Sequence, residues 1–340
     1  MKKTFLAAMA AAALLGACTK NASEIEDSAT GSVVKITLTD KTPETRAFFD
    51  QTAAAESWEK KIGTLTLFVF DGNGDAVLQR NFTAAEISGQ AATVPVPDAP
   101  PGEMYRFYVI ANAGTAISAD NLSELQGKSE GESAAYNGTF DEVTTKAKRA
   151  AGFTMTGSAT KAIAAAGQTT EVQIALERLV SKVAVQAATD SKFAATYPGR
   201  VRIDNTTISN ASISTRYFKE APSGGGSGDR FSHTQAAKEL SGKYGNLFYI
   251  YGYENEKAAE NVLLTLEGVY DQDGNFGTTG DQIPVSYEVT LTGDSGKAIS
   301  RNTYRRINVN ISGLTGADVA VTISPADWDG PFNQDVNLGM

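Results

Sequence analysis

Side chains that could carry acid–base or nucleophilic chemistry are scarce in this sequence. The chain has one histidine, His233, and one cysteine, Cys18. Ser295 follows Asp294 in a glycine-flanked turn, but a serine nucleophile needs a histidine base as well as a buried carboxylate. His233 lies in a polar, disordered-looking stretch after a glycine-rich segment, and we expect it to face solvent. The sequence therefore predicts that the chain is not an enzyme and uses no cofactor.

Two acidic turns are the remaining candidates for ion chemistry. Asp71–Asp75 (DGNGD) and Asp271–Asn275 (DQDGN) carry carboxylates of the kind that bind Ca²⁺. A helix–loop–helix calcium site also needs glycine at its sixth position and a bidentate glutamate at its twelfth. The residues at those positions are Ala76 and Phe82 in the first turn, and Phe276 and Gln282 in the second. Both segments are therefore predicted to be hairpin turns, and no metal site is assigned.

Composition limits the kinds of partner. The formal net charge is −9 over 340 residues, whereas nucleic acids and anionic membrane surfaces bind clustered lysine and arginine. No nucleic-acid partner is therefore expected. A single cysteine excludes a disulfide within the chain and a cysteine-based zinc site. The length suffices for one large or two ordinary domains with cores of their own.

The N-terminus has the pattern of a bacterial export signal. Two lysines precede the apolar stretch Phe5–Leu15, which is too short to span a bilayer. It ends in Leu15-Gly16-Ala17-Cys18, which resembles a lipobox, where a cysteine is acylated and becomes the new N-terminus. Several acyl chains anchor firmly, because each buried CH₂ contributes roughly 0.8 kcal/mol. We predict a signal peptide over residues 1–17 and lipidation at Cys18. The alternative is an ordinary secretory signal with a chance cysteine.

The elements that must position any functional residue are β-strands, because apolar and polar residues alternate with a period of two. In the first half the predicted strands are Val33–Thr39, Ile62–Phe70, Ala76–Phe82, Thr93–Pro97 and Arg106–Ala111. A modest helical signal covers Asn121–Leu125. Two further apolar alternations flank Glu177-Arg178 within residues 169–187.

The second half repeats this style. Its predicted strands are Val201–Ser214, Leu247–Tyr253, Val262–Tyr270, Ile283–Leu291, Tyr304–Ile311 and Val319–Ile323. Long helices do not intervene, which favours antiparallel sandwiches over a parallel sheet. The predicted fold is all-β, with minor helices and a domain boundary near residue 177. The tyrosines of Phe248–Tyr253 either line a glycan-binding face or pack within the sheet, and packing is expected.

Five features in this order resemble the fimbrillin family of Bacteroidales, whose FimA and Mfa type members are major and minor fimbrial subunits. They are the lipobox at Cys18, Thr45–Phe49 (TRAFF), Glu177–Val185 (ERLVSKVAV), Arg301–Ile311 (RNTYRRINVNI) and the strand that closes at Trp328. The resemblance implies two tandem transthyretin-like antiparallel β-sandwich domains. It also implies lipoprotein export, cleavage after Arg46 by an Arg-specific protease to leave Ala47 as the N-terminus, and assembly by strand exchange.

The resemblance divides the chain into four parts. They are a signal peptide over 1–17, a propeptide over 18–46, an N-terminal sandwich over 47–176 and a C-terminal sandwich with a tail over 177–340. Cleavage after Arg46 would free the strand with Val34, Ile36 and Leu38 on one face, exposing apolar core and unpaired backbone groups. The tail has the alternation of a donor strand that fills such a gap by β-augmentation. Its residues of one parity are Phe332, Val336, Leu338 and Met340.

The expected function is therefore a polymerising shaft subunit of a surface fimbria that supports adhesion. Its expected partners are copies of itself, related fimbrial subunits, an Arg-specific protease and a receptor on a host or bacterial surface. The lipidated precursor is expected in the cell outer membrane, and the mature chain in the extracellular fimbrium. One alternative is a tip or anchor subunit of the same family, and another is a glycan-binding surface lipoprotein. Arg46 together with the alternating tail favours the shaft.

Overall fold

A computed structural model describes most of the chain between residues 32 and 326. The described residues are 32–40, 59, 61–83, 86, 93–96, 100–131, 152–209, 212, 214–218, 230–254, 262–291, 300–316 and 318–326. Several predicted site residues lie outside these ranges, and the predictions made for them stay predictions. They are Cys18, Arg46, Ala47, Phe332, Val336, Leu338 and Met340.

The described residues form seventeen strands and two short helices, so the all-β prediction is confirmed. The first half contains β1 Ser32–Asp40, β2 Leu65–Phe70, β3 Ala76–Phe82, β4 Thr93–Val96, β5 Met104–Ala111, α1 Leu122–Gly127, β6 Ser129–Gly131, β7 Met155–Ala162 and β8 Thr169–Arg178. The second half contains β9 Val180–Thr189, α2 Ser191–Thr196, β10 Arg200–Ser209, β11 Ser214–Arg216, β12 Arg230–Glu239, β13 Gly245–Tyr253, β14 Val262–Asp271, β15 Gln282–Leu291, β16 Tyr304–Ile311 and β17 Val319–Ala326.

Seven of the eight strands of the first half form one sheet of order β3-β2-β5-β7-β8-β1-β4, and β6 belongs to another sheet. β7 meets only the last residues of β8, through Met155 opposite Arg178 and Thr156 opposite Glu177. The sheet therefore changes direction where β7 meets β8. The inward faces of the strands on either side of this point share one hydrophobic core. The members of this core include Leu65, Leu67, Val69, Phe107, Val109, Val172, Ile174 and Leu176.

β2 is buried on both faces, which explains its nearly continuous run of apolar residues. The residues of the other parity, Phe68 and Phe70, join a second core with Leu122 and Leu125 of α1. This second core extends into the second half of the chain. For example, the Tyr108 ring lies edge-on to Phe218 with centroids 4.7 Å apart.

The second half contains two four-stranded sheets, β12-β10-β14-β15 and β13-β9-β16-β17. Their alternating apolar residues pack together in the second core, as in a β-sandwich. The members from these sheets include Val183, Val185, Val201, Ile203, Leu264, Leu266, Tyr287, Ile307 and Val309. A two-stranded sheet joins the two halves, because β11 pairs antiparallel with β6.

Two pairs of neighbouring strands are parallel, which differs from the expected purely antiparallel pairing. β1 runs parallel to β8, and β16 runs parallel to β9. Period-two alternation specifies which residues share a face but carries no information about the direction of the neighbouring strand.

Several local predictions also need correction. The stretch around His233 is not disordered, since it forms β12, where His233 lies opposite Thr206 of β10. The predicted strand Val201–Ser214 is two elements, because β10 ends at Ser209 and β11 belongs to another sheet. β6, β7 and α2 were not predicted. Among the described residues, neither helix is long and apolar enough to cross a membrane.

Candidate functional site

The strand predicted to be released, β1, is inserted between two neighbours of the first sheet. It pairs parallel with β8 from Val33 opposite Thr169 to Asp40 opposite Leu176. On its other side it pairs antiparallel with the short edge strand β4, from Ser32 opposite Val96 to Lys35 opposite Thr93. β1 therefore has hydrogen-bonded partners on both sides, and its removal would leave β4 without this neighbour.

The side chains of β1 alternate as the sequence predicts. Val34, Ile36 and Leu38 are 0%, 1% and 1% exposed, so all three lie within the core. Lys35 points outward, and its Nζ lies 3.7 Å from Oε1 of Glu171 on β8, with side chains that are 41% and 73% exposed. The strand and its buried face are thus confirmed, whereas its release stays a prediction.

The buried face of β1 belongs to the apolar core of the first half. The cluster that contains Val34, Ile36 and Leu38 also contains Val172, Ile174 and Leu176 from β8, Val96 from β4 and Phe107 from β5. A groove left by β1 would therefore be lined by apolar side chains and flanked by strands with free edges. Such a groove binds an extended segment with apolar residues at every second position.

The strand that walls this groove continues directly into the second half. β8 ends at Arg178, and β9 begins at Val180 in a different sheet. At this junction the Arg178 Nη1 donates to Asn302 Oδ1 at 3.1 Å, with both residues buried. Two backbone hydrogen bonds lie beside this contact. Asn302 N donates to Val180 O at 2.8 Å, and Lys182 N donates to Thr303 O at 2.8 Å. Two separate sequence motifs, ERLVSKVAV and RNTYRRINVNI, therefore meet in space.

A family model described as major fimbrial subunit protein (FimA) matches residues 32–212, which is more than half of the chain. The matched segment begins at β1 and includes β8, the strand that walls the groove. The chain belongs to the FimA major fimbrial subunit family. Membership supports a pilus subunit on the cell surface and favours a structural protein over an enzyme.

Solved structures of fimbrial and cell adhesion proteins share this fold at low sequence identity. A fimbrilin from Porphyromonas gingivalis is 17% identical, with 88% of this chain and 98% of that chain covered at a TM-score of 0.57. A candidate cell adhesion protein from Parabacteroides distasonis is 15% identical, with 88% and 98% covered at a TM-score of 0.65. The tip fimbrial protein Mfa3 from Porphyromonas gingivalis is 14% identical, with 87% and 100% covered at a TM-score of 0.52. No curated protein matches the chain in sequence.

In this family member, sequence reasoning missed a set of buried carboxylates at the junction between the halves. Glu59 and Glu254 are both fully buried. Glu254 forms an ion pair with Arg301, whose Nε lies 3.1 Å from Oε2. Arg301 also donates to Thr215 Oγ1 at 2.8 Å, which ties β11 to the same cluster. The family-like motifs beginning at Glu177 and Arg301 were the signal for this region, but nothing in the alternation indicated buried charge.

Two tyrosines of β13 donate hydrogen bonds to glutamates at this junction. The Tyr251 hydroxyl donates to Glu59 Oε1, and the Tyr253 hydroxyl donates to Glu130 Oε1 at 2.9 Å. Both rings are buried, at 3% and 8% exposure. The packing interpretation is therefore confirmed for these two residues, which are not available to line a glycan-binding face.

The two acidic turns are hairpin connections, as predicted. In the β2–β3 turn, Asp71 Oδ1 accepts the N–H groups of Asn73 and Asp75, both at 2.9 Å. The Asp75 N–H is the main reason that the pKa of Asp71 is lowered. In the β14–β15 turn, carboxylate oxygens of Asp271, Asp273 and Asp281 lie within 4.8 Å of one another. The Asp271 carboxylate accepts hydrogen bonds from Gln282 Nε2 at 3.0 Å and from Asn275 N at 2.9 Å, so donors within the protein already satisfy it.

Proposed function

We propose that this chain is a polymerising shaft subunit that is exported as a lipoprotein precursor and assembled by donor-strand exchange. In this scheme Cys18 carries the lipid, and an Arg-specific protease cuts between Arg46 and Ala47. β1 then leaves its groove, and the C-terminal tail of a neighbouring subunit takes its place. The observation that carries the proposal is the pairing of β1 with β8 from Val33 to Asp40 and with β4 from Ser32 to Lys35, with three of its side chains buried.

The energetics explain why proteolysis would act as the trigger. Burial of three aliphatic side chains contributes roughly 1.5–3 kcal/mol each. The strand hydrogen bonds add about 1 kcal/mol each. While β1 remains covalently joined to the rest of the chain, any departure is followed by rapid rebinding. Cleavage would make the departure of β1 irreversible once a competing strand fills the groove.

The tail is a suitable replacement in its sequence pattern. Val336, Leu338 and Met340 repeat the spacing of Val34, Ile36 and Leu38, and Phe332 has the same parity. A tail bound in the direction of β1 would therefore place three apolar side chains in the three vacated positions. We propose that the two sandwiches comprise residues 47–176 and 177–340. The change of sheet between β8, which ends at Arg178, and β9, which begins at Val180, supports a boundary close to residue 177.

Electron microscopy of the protease-treated precursor tests this function. Purified precursor incubated with an Arg-specific protease should form fibres, and the same protein without protease should not. N-terminal sequencing of the fibres should begin at Ala47. Complete cleavage after Arg46 without fibres would refute the shaft role, and fibres that begin at Cys18 would instead indicate a subunit that retains its lipid, as an anchor does.

Lipidation gives a separate prediction. Cys18→Ala should abolish the incorporation of radiolabelled palmitate, because the thiol that receives the lipid is gone. The variant should also lose processing at this site, whereas Ser28→Ala in the segment that follows should label normally. Palmitate in the Cys18→Ala protein would show that the lipobox interpretation is wrong.

A further inference from the structure

Glu59 is fully buried, and in the sequence it lies between the proposed cleavage site and β2. Its Oε1 is 2.9 Å from Lys182 Nζ, and the side chains are 0% and 3% exposed. The Tyr251 hydroxyl donates to the same oxygen. Lys182 is on β9 and Tyr251 is on β13, so the side chain of Glu59 is held by the second half of the chain.

The backbone of Glu59 is held at the same place. Arg178 Nε donates to the Glu59 carbonyl oxygen at 3.0 Å, and Arg178 is 1% exposed. Arg178 is the last residue of β8, the strand that walls the β1 groove. Glu59 therefore links the groove wall to two strands of the second half.

The residues that follow Glu59 are held by the first half. Gly63 N donates to Asn112 Oδ1 at 2.7 Å, and Asn112 Nδ2 donates to Lys61 O at 2.7 Å. Thr64 N makes a longer contact with the same Oδ1 at 3.3 Å. The side chain of Glu59 is thus attached to the second half, whereas the backbone from Lys61 to Thr64 is attached to the first half.

We propose that Glu59 anchors the N-terminal segment of the mature chain, so that the departure of β1 does not loosen the entry to β2. This inference rests on the proposed cleavage after Arg46 and departure of β1. When β1 leaves, the buried pair of Glu59 with Lys182 holds the new N-terminal segment against the second half, and the entry to β2 keeps its place beside the groove wall. A buried charge that loses its partner is strongly destabilising, so this contact resists opening more than a surface pair does.

Hydrogen exchange in the full-length precursor tests the anchor without cleavage. Glu59→Gln keeps the shape of the side chain but leaves Lys182 buried without its carboxylate. Amides in peptides spanning 59–64 should exchange on the order of 100-fold faster, whereas β14 amides should change much less. Glu171→Gln removes the carboxylate of the exposed pair with Lys35 and should change exchange by less than about threefold.

Two further variants separate anchoring from a general loss of stability. Tyr251→Phe removes one hydroxyl and keeps the ring, so it should give a smaller acceleration confined to 59–64. Glu59→Gln combined with Lys182→Met removes both charges and should restore most of the protection lost in the single variant. An equal acceleration across 59–64 and β14, or no difference between Glu59→Gln and Glu171→Gln, would overturn the anchor.

The cleaved protein supplies an independent readout. After cleavage at Arg46, trypsin should cut the Glu59→Gln protein after Lys61 faster than it cuts the parent protein, because opening of the segment frees the Lys61 backbone, whose carbonyl accepts a hydrogen bond from Asn112 Nδ2 in the closed state. Equal cutting would overturn the anchor in the mature form. If Arg46 is not cleaved at all, the maturation scheme fails, and the exchange result on the intact precursor still decides whether Glu59 holds this segment.

Discussion

Arg46→Ala should give a precursor that folds normally and forms no fibres. The physical reason is the position of β1, which is paired along its length with β8 and buries Val34, Ile36 and Leu38 completely. Without the cut, β1 stays at high effective concentration beside its own groove, so a donor strand from another subunit cannot compete. We expect this variant to form no polymer. The midpoint of its thermal unfolding should lie within a few degrees of that of the parent protein.

The measurement is electron microscopy together with gels run without boiling, on which polymers appear as ladders. Arg200→Ala is a matched control, because Arg200 is exposed and pairs with Glu239 at 3.3 Å far from β1 in sequence. It should polymerise as the parent does. Fibres from Arg46→Ala of normal length and yield would show that release of β1 is not required.

Strands with strong alternation were predictable from sequence. Ala76–Phe82 and Tyr304–Ile311 have the predicted bounds, and Val34, Ile36 and Leu38 occupy the predicted buried face. The predicted start of β2 at Ile62 is wrong, since the strand begins at Leu65. The preceding backbone groups bind the side chain of Asn112, whose φ is 57°, instead of a neighbouring strand.

The missed strands lack the pattern on which prediction depends. β7 (MTGSATKA) consists mainly of small and polar residues, and most of them are partly or fully exposed. It forms because β5 pairs with it along eight residues, from Met104 opposite Ala162 to Ala111 opposite Met155. Among the strands that the structure describes, β12 lies at the edge of its sheet and pairs with β10. Tertiary pairing outweighs weak intrinsic preference in both cases.

The buried polar junction was less predictable than the groove. An apolar groove follows from alternation, which the sequence displays directly. Glu59, Arg178 and Arg301 are charged residues, and charged residues are ordinarily exposed unless a partner compensates them. Their partners lie far away in the chain, as with Arg178 and Asn302, so only the fold brings them together.

The tail gives the sharpest test of how a subunit joins the next one. If residues 332–340 enter the groove that β1 leaves, Val336 and Leu338 face the core and Asn337 faces solvent. Val336→Asp and Leu338→Asp would each place a carboxylate among apolar side chains such as Val172 and Ile174. An isolated buried charge costs several kcal/mol or forces the group to stay protonated.

Asn337→Asp is the matched control, because it adds the same charge on the opposite face and should change stability by only about 0.5 kcal/mol. The expected order of damage to polymer ladders is therefore severe at 336 and 338 and mild at 337. All three variants should remain folded as precursors, since the proposed groove for the tail belongs to a neighbouring subunit. Equal tolerance at the three positions would exclude the tail as the inserted strand. The strand that precedes the tail, β17, would then be the next segment to test. However, β17 already pairs with β16, from Tyr304 opposite Ala326 to Ile311 opposite Val319. A role as donor would require it to leave that pairing, which costs further hydrogen bonds at about 1 kcal/mol each.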